Sequence, residues 1–107
     1  ANIYKNAFYD PSTTDAVTVY TCPSNANAII QNIQLTNESG SKVAKVSVTD
    51  SSATTDYQIA YADITGPTIC NVAKGPVVLE ENDVLKIESS VTSGISGIIS
   101  ILEINRE

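Results

Sequence analysis

Short runs rich in Val, Ile, Thr and Tyr make up this chain, and Asn, Ser, Gly or Pro interrupts them about every eight to twelve residues. No stretch carries the periodicity of an amphipathic helix. This spacing is typical of antiparallel sheets that pack face to face. We therefore predict an all-β fold, an antiparallel sandwich or barrel of eight or nine strands.

The chain has 107 residues, the size of one domain. Its composition, 42% hydrophobic and 17% charged, favours a globular chain over a disordered one. We therefore predict a single β-sandwich domain over residues 1–107. Residues 1–10 are rich in aromatic side chains up to Asp10-Pro11, and they are predicted to form an N-terminal arm or an edge strand.

The clearest local pattern predicts a hairpin. Residues 28–37 and 43–50 both alternate, and the turn between them contains Gly40, which tolerates a positive φ. The inward residues of the predicted hairpin are Ile29, Ile33 and Leu35 on its first strand and Ala44, Val46 and Val48 on its second. Alternation in the next strand predicts that Tyr57, Ile59 and Tyr61 share one face and pack in the core.

The last predicted strand, residues 95–104, is apolar on both faces. An apolar strand of this kind needs cover on both sides, from a loop, an arm or another subunit. The N-terminal aromatic residues are equally suited to sheet packing and to an interface. The candidate interface residues are Tyr4, Phe8, Tyr9, Ile98, Leu102 and Ile104.

The net charge of −6 argues against several partners. Nucleic-acid binding depends on Lys and Arg, and this chain has only six of them, scattered along its length. No segment approaches the apolar length that spans a membrane. We therefore expect neither nucleic acid nor membrane as a partner, whereas a basic protein surface remains compatible with the charge.

No catalytic constellation is present in the sequence. The chain has no histidine, which excludes Ser/His and Cys/His pairs, and the Glu80–Asp83 cluster is typical of a tight turn. We predict no enzyme activity, no catalytic residues, no metal site and no cofactor. The two cysteines, Cys22 and Cys70, are either free thiols, which we favour, or one disulfide.

Three stretches carry a family resemblance: Val19–Ser24, Ile33–Gly40 and Leu79–Ser90, the last followed by a closing strand that ends in Leu102-Glu103-Ile104. Together they resemble small all-β accessory proteins of tailed-bacteriophage virions. The resemblance covers roughly residues 17–104. It implies an antiparallel β-sandwich of about eight strands, jelly-roll-like or immunoglobulin-like, that self-associates, often as trimers, and binds without catalysis.

Within this family, capsid cement is the role we favour, because the chain is small and has no shaft repeat. The resemblance then implies a decoration protein that binds the major capsid protein and itself, on the capsid surface of the virion. The alternatives are a neck, tail or fibre accessory protein and a carbohydrate- or receptor-binding module. The first ten residues lack a signal peptide, and an N-terminal Ala remains when an initiator Met is removed, so we expect synthesis in the host cytoplasm.

Overall fold

The computed structural model describes residues 1–106, which form nine β-strands and no helix. The strands are β1 (Asn2–Tyr9), β2 (Val17–Thr21), β3 (Ala26–Asn37), β4 (Ser41–Asp50), β5 (Thr55–Thr65), β6 (Thr68–Asn71), β7 (Val77–Leu79), β8 (Val84–Ser89) and β9 (Ile95–Asn105). The predicted all-β class is confirmed. The strands predicted over residues 28–37, 43–50 and 95–104 agree with β3, β4 and β9 to within two residues at each end.

Two antiparallel sheets pack against each other. The first has the order β1-β9-β3-β6, with β7 also paired to β3, and the second has the order β2-β8-β4-β5. The strands β6 and β7 lie end to end along one edge of β3, opposite residues 34–37 and 28–30 respectively. This interleaving of early and late strands in both sheets is the arrangement of a jelly roll.

The predicted hairpin of β3 and β4 is wrong. The strand β3 pairs with β9, β6 and β7, whereas β4 pairs with β5 and β8, so the connection crosses from one sheet to the other. Asn37 fixes this crossing: its Nδ2 donates to the carbonyl oxygens of Gly40 and Ile64, both at 2.8 Å. The turn itself is as predicted, with Gly40 at a φ of 70°.

A β-bulge in β3 reverses the predicted orientation of Ile29. The register of β3 against β9 shifts between Ile30 and Asn32, so strict alternation fails at this point. Ile30 and Ile33 are therefore both buried, and Ile29 points out of the sandwich. The prediction that Ile29 faces inward was wrong because sequence alternation does not reveal the extra residue.

The predicted core packing of Tyr57, Ile59 and Tyr61 is also wrong. All three side chains are exposed, Tyr57 at 55% and Tyr61 at 62%, because β5 is the outermost strand of the second sheet. A second bulge lies between β4 and β5. Tyr61 lies opposite Lys45 on the outer face, with the Lys45 Nζ 5.8 Å from the ring centroid.

The core lies between the inner faces of the two sheets, and its side chains are almost all aliphatic. Its largest members are Tyr9, Ile30, Ile33, Leu35, Val46, Leu79, Leu85, Ile87, Ile99 and Ile101. Since both sheets alternate inward apolar and outward polar residues over most of their length, burial of these side chains is the main favourable contribution to folding.

The N-terminal segment pairs along its whole length. The eight residues of β1 lie antiparallel to β9, from Asn2 opposite Ile104 to Tyr9 opposite Gly97, at the edge of the first sheet. Tyr9 is only 1% exposed and belongs to the core. Its inclusion among the candidate interface residues was therefore wrong, because the Tyr9 side chain lies on the inner face of β1 and packs between the two sheets.

Gly97 offers a test of how closely β9 packs against β3. A Cβ atom at Gly97 would lie 2.5 Å from the Leu35 Cδ2 atom and closer still to the Gln34 carbonyl oxygen. We expect Gly97→Ala to lower the free energy of unfolding by about 1–3 kcal/mol, the usual cost of overpacking. Urea denaturation followed by circular dichroism measures this change.

Gly75→Ala is the matched control, since a Cβ atom there meets no atom within 4 Å. Its midpoint should stay close to that of the wild type. Equal midpoints for both variants would contradict the close packing of β9 on β3.

Candidate functional site

The outer face of the first sheet is the most distinctive surface of the molecule. We call it the uncharged face, and we define it by its apolar side chains. Outward Asn, Gln, Ser and Thr residues of the same strands lie between them, and one polar row, Asn6, Ser100 and Asn32, crosses the middle of the face. These apolar side chains are Tyr4, Phe8, Ile29, Ile69, Val78, Ile98, Leu102 and Ile104. An exposed apolar patch that crosses a whole sheet marks a contact surface.

The register of the strands builds a continuous apolar row across this face. Tyr4 lies opposite Leu102, Leu102 opposite Ile29, and Ile29 opposite Val78. The two ends of the row are the most exposed, Tyr4 at 78% and Val78 at 62%. Cross-strand neighbours of this kind lie about 4.5–5.5 Å apart, so the four side chains form one surface.

Charge is absent from the outward positions of all five strands of the first sheet. These strands contain two charged residues, Lys5 and Glu103, and both occupy inward positions: Lys5 lies opposite the buried Ile101, and Glu103 is itself buried. Asp10 and Lys74 stand in the connections beyond the strand ends. Arg106 follows β9, and its guanidinium group, paired with Glu81, donates to the Asn27 side chain, so this ion pair borders one corner of the face. The absence of charge from the middle of a surface is the compositional mark of an interface core.

Five of the six candidate interface residues lie on the uncharged face. Tyr4 and Phe8 of β1 adjoin Ile98, Leu102 and Ile104 of β9, with Phe8 directly opposite Ile98. The structure thus brings together residues from the two ends of the chain.

Sequence reasoning missed three members of the face, Ile29, Ile69 and Val78. Ile29 was misplaced by the bulge in β3. Ile69 and Val78 lie in strands of only four and three residues, too short to display alternation. Their apolar character was the one available signal.

A buried carboxylate lies beneath the uncharged face. Glu103 is 3% exposed, and its Oε2 accepts hydrogen bonds from the Tyr20 hydroxyl at 2.6 Å and from the Lys5 Nζ at 3.3 Å, while Asn105 donates to its Oε1. The Tyr20 hydroxyl, then Lys5 and Asn105, hold the pKa of the Glu103 carboxyl below its usual value although burial opposes this. The cluster joins β1 and β9 to β2 of the opposite sheet.

The remaining charged and polar groups serve the fold. Asp83 accepts hydrogen bonds from the backbone N–H groups of Ser51 and Glu80, which agrees with the predicted turn.

Within residues 1–106, no three His, Cys, Asp or Glu side chains lie together as metal ligands. Cys22 and Cys70 are free thiols, and burial raises the pKa of the Cys22 thiol. The described part of the chain contains no helix long and apolar enough to cross a membrane.

No protein-family model matches the chain, and no curated protein sequence is similar to it. Solved structures with a similar fold include the Bacillus endospore appendages that form disulfide-linked pili, at a TM-score of 0.61 and 8% identity, over 100% of this chain and 88% of that one. The CBM22-1–GH10 modules of Clostridium thermocellum xylanase 10B, complexed with xylohexaose, give a TM-score of 0.50 and 14% identity, over 92% of this chain and 21% of that one.

A chain from the structure of infectious bursal disease virus strain Gx gives a TM-score of only 0.48 at 8% identity, over 100% of this chain and 30% of that one. That likeness is too weak to support an inference. At these identities the first two likenesses establish a shared β-sandwich and nothing about activity. The chain is an antiparallel β-sandwich whose strand order is that of a jelly roll.

Glu103 gives the structure a defined pH dependence. Its pKa is lower in the folded state, so its contribution to stability is present above the unfolded pKa of about 4.3 and is lost as the pH falls through the folded-state pKa. We expect Glu103→Gln to lower the free energy of unfolding by about 1–3 kcal/mol at neutral pH. This difference from the wild type should shrink in acid, as measured by urea denaturation at about pH 7 and about pH 3.

Glu80→Gln serves as the control, because Glu80 is exposed and its side chain lies outside the cluster. It should behave like the wild type at both pH values. A Glu103→Gln deficit of the same size at both pH values would contradict the ionised state assigned to Glu103.

Proposed function

We propose that this protein is a non-enzymatic structural component of a phage virion, a cement or decoration protein that binds the capsid shell and stabilises it. The single observation that carries the proposal is the uncharged face. A chain with a net charge of −6 keeps every outward position of a five-stranded sheet free of charge. Such a face is suited to stable contact with protein.

The opposite face of the sandwich has a different character. The outer side of the second sheet carries Lys45, Lys86 and Glu88, and Lys86 forms an ion pair with Asp56 at 3.4 Å. Charged side chains of both signs keep a surface soluble. The uncharged face is suited to permanent contact, and the charged face is suited to solvent or weak polar contact. This combination fits a subunit that is held in an assembly.

The fold agrees with an assembling subunit. The pilus protein of the Bacillus endospore appendages shares it over 88% of its length, which supports the idea that one jelly roll of this size is sufficient for a structural subunit. The resemblance carried by Ile33–Gly40 and Leu79–Ser90 favours the phage virion in particular. Many weak contacts with a shell add up through multivalency, so high affinity for any single site is unnecessary.

The distribution of exposed aromatic rings favours this role over a carbohydrate-binding module. A sugar platform built on loops would place its rings at loop tips, whereas the exposed rings of Tyr4, Phe8, Tyr57 and Tyr61 all lie on strands. The Lys45 ammonium group also lies 5.8 Å from the centre of the Tyr61 ring. The rings are therefore placed for flat contact with another protein surface.

The copy number on purified virions tests the proposal. A cement protein should be present on the order of hundreds of copies per particle, because it occupies a repeated site on the shell. Quantitative gel analysis against the major capsid protein measures this ratio. A count of about a dozen or fewer would place the protein at the neck or tail, where rings of low order occur, and would overturn the cement role.

Stability of the particle provides a second readout of the same proposal. Particles made without the protein should release their DNA at a lower temperature than complete particles, and added protein should restore the higher temperature. Particles that release DNA at the same temperature with and without the protein would contradict a stabilising role.

A further inference from the structure

We infer that the uncharged face is covered by the same face of a second copy of this chain, which gives a two-fold symmetric dimer. The inference rests on the proposed function only in treating this face as a contact surface. It names the occupant of the face, which neither the fold nor the resemblance supplies.

Electrostatic repulsion between copies favours contact through the uncharged face. Two copies that each carry a charge of −6 repel each other wherever acidic surfaces meet. The outer face of the second sheet carries charged side chains such as Lys86 and Glu88, and burying these charges in a contact between copies would cost desolvation free energy. The uncharged face avoids this cost, because its outward positions carry no charge in either copy.

The uncharged face is about as large as one side of a stable dimer interface. The strand β9 has eleven residues, and four strands lie abreast at its widest part. At about 3.3 Å per residue and about 4.8 Å between strands, the face measures roughly 36 Å by 19 Å, or about 700 Å². This is close to the ~800 Å² that each partner contributes to a standard stable interface.

The shape of the uncharged face also suits a two-fold symmetric contact. The row from Tyr4 through Leu102 and Ile29 to Val78 crosses a sheet, and two sheet faces pack well when their strands are nearly aligned. A patch that pairs with itself produces a closed two-fold dimer rather than a trimer or a filament. The resemblance implies trimers, so the dimer is a departure from that expectation. In the dimer, both charged sheets point outward and are left for the shell and the solvent.

Charge placed at the two ends of the row tests the inference. Because the strands of two packed sheets are nearly aligned, the two-fold axis runs close to the row or close to its perpendicular. With either axis through the centre of the row, each Lys of the double variant Tyr4→Lys/Val78→Lys meets a Lys of the other copy. Both positions are more than 60% exposed, so the fold should tolerate them. At a protein concentration just above the wild-type dissociation constant, we expect the wild type to have a light-scattering mass approaching twice 11.3 kDa. The double variant should be mostly monomeric at this concentration, because its dimer dissociation constant is roughly tenfold or more higher.

Mixing separates a specific contact from a general loss of folding. The variant Tyr4→Glu/Val78→Glu should also be monomeric, but an equimolar mixture of the Lys and Glu variants should form a heterodimer, because opposite charges then meet. Tyr57→Lys is the matched control: it places the same charge at an exposed tyrosine of the second sheet and should leave the dimer intact.

Several results would overturn the inference: a monomeric or trimeric wild type, a double variant that still dimerises, or a mixture that stays monomeric. Binding of these variants to virions distinguishes this failure from failure of the proposed function. A wild type that is monomeric in solution yet abundant on particles refutes the dimer and leaves the cement role standing. A dimer that is absent from particles refutes the cement role and leaves the dimer standing.

Discussion

The pairing of β9 with β3 is the interaction on which the rest of the structure depends. It runs antiparallel from Ala26 opposite Asn105 to Asn37 opposite Ile95 and places the chain's last strand in the middle of the first sheet. The strand β9 then offers its other edge to β1, so that the first and last strands of the chain lie side by side. A pairing of such high sequence separation forms slowly but fixes the topology once it is made.

Much of the fold could be predicted from the sequence because strands of alternating polarity leave a local signal. The limits of β4 follow within two residues from the alternation of residues 43–50, those of β9 follow from the apolar run of residues 95–104, and Gly40 marks its turn correctly. Sheet membership could not be predicted in the same way. The alternation of β3 and β4 is the same whether they pair with each other or lie in opposite sheets, and only the long-range partners of each strand decide between the two.

The candidate site was predictable to the extent that it rests on long strands. The two-sided apolar pattern of β9 pointed to Ile98, Leu102 and Ile104, and the structure places Tyr4 and Phe8 beside them. Tyr9 was misassigned because one aromatic residue in an edge strand looks like another in sequence. The absence of charge from the face could not be inferred, because it depends on Lys5 and Glu103 both occupying inward positions.

The division of one sheet edge into two short strands has a consequence for how copies of this protein meet. The open edge of β3 is covered by β6 and β7, four and three residues long, so neither presents a long backbone ladder to another molecule. A bulge interrupts the pairing of β5, the longest edge strand. Strand-by-strand growth into fibrils is thereby discouraged at two margins of the sandwich, and contact through side chains, which can be finite and reversible, is left as the favoured mode of association.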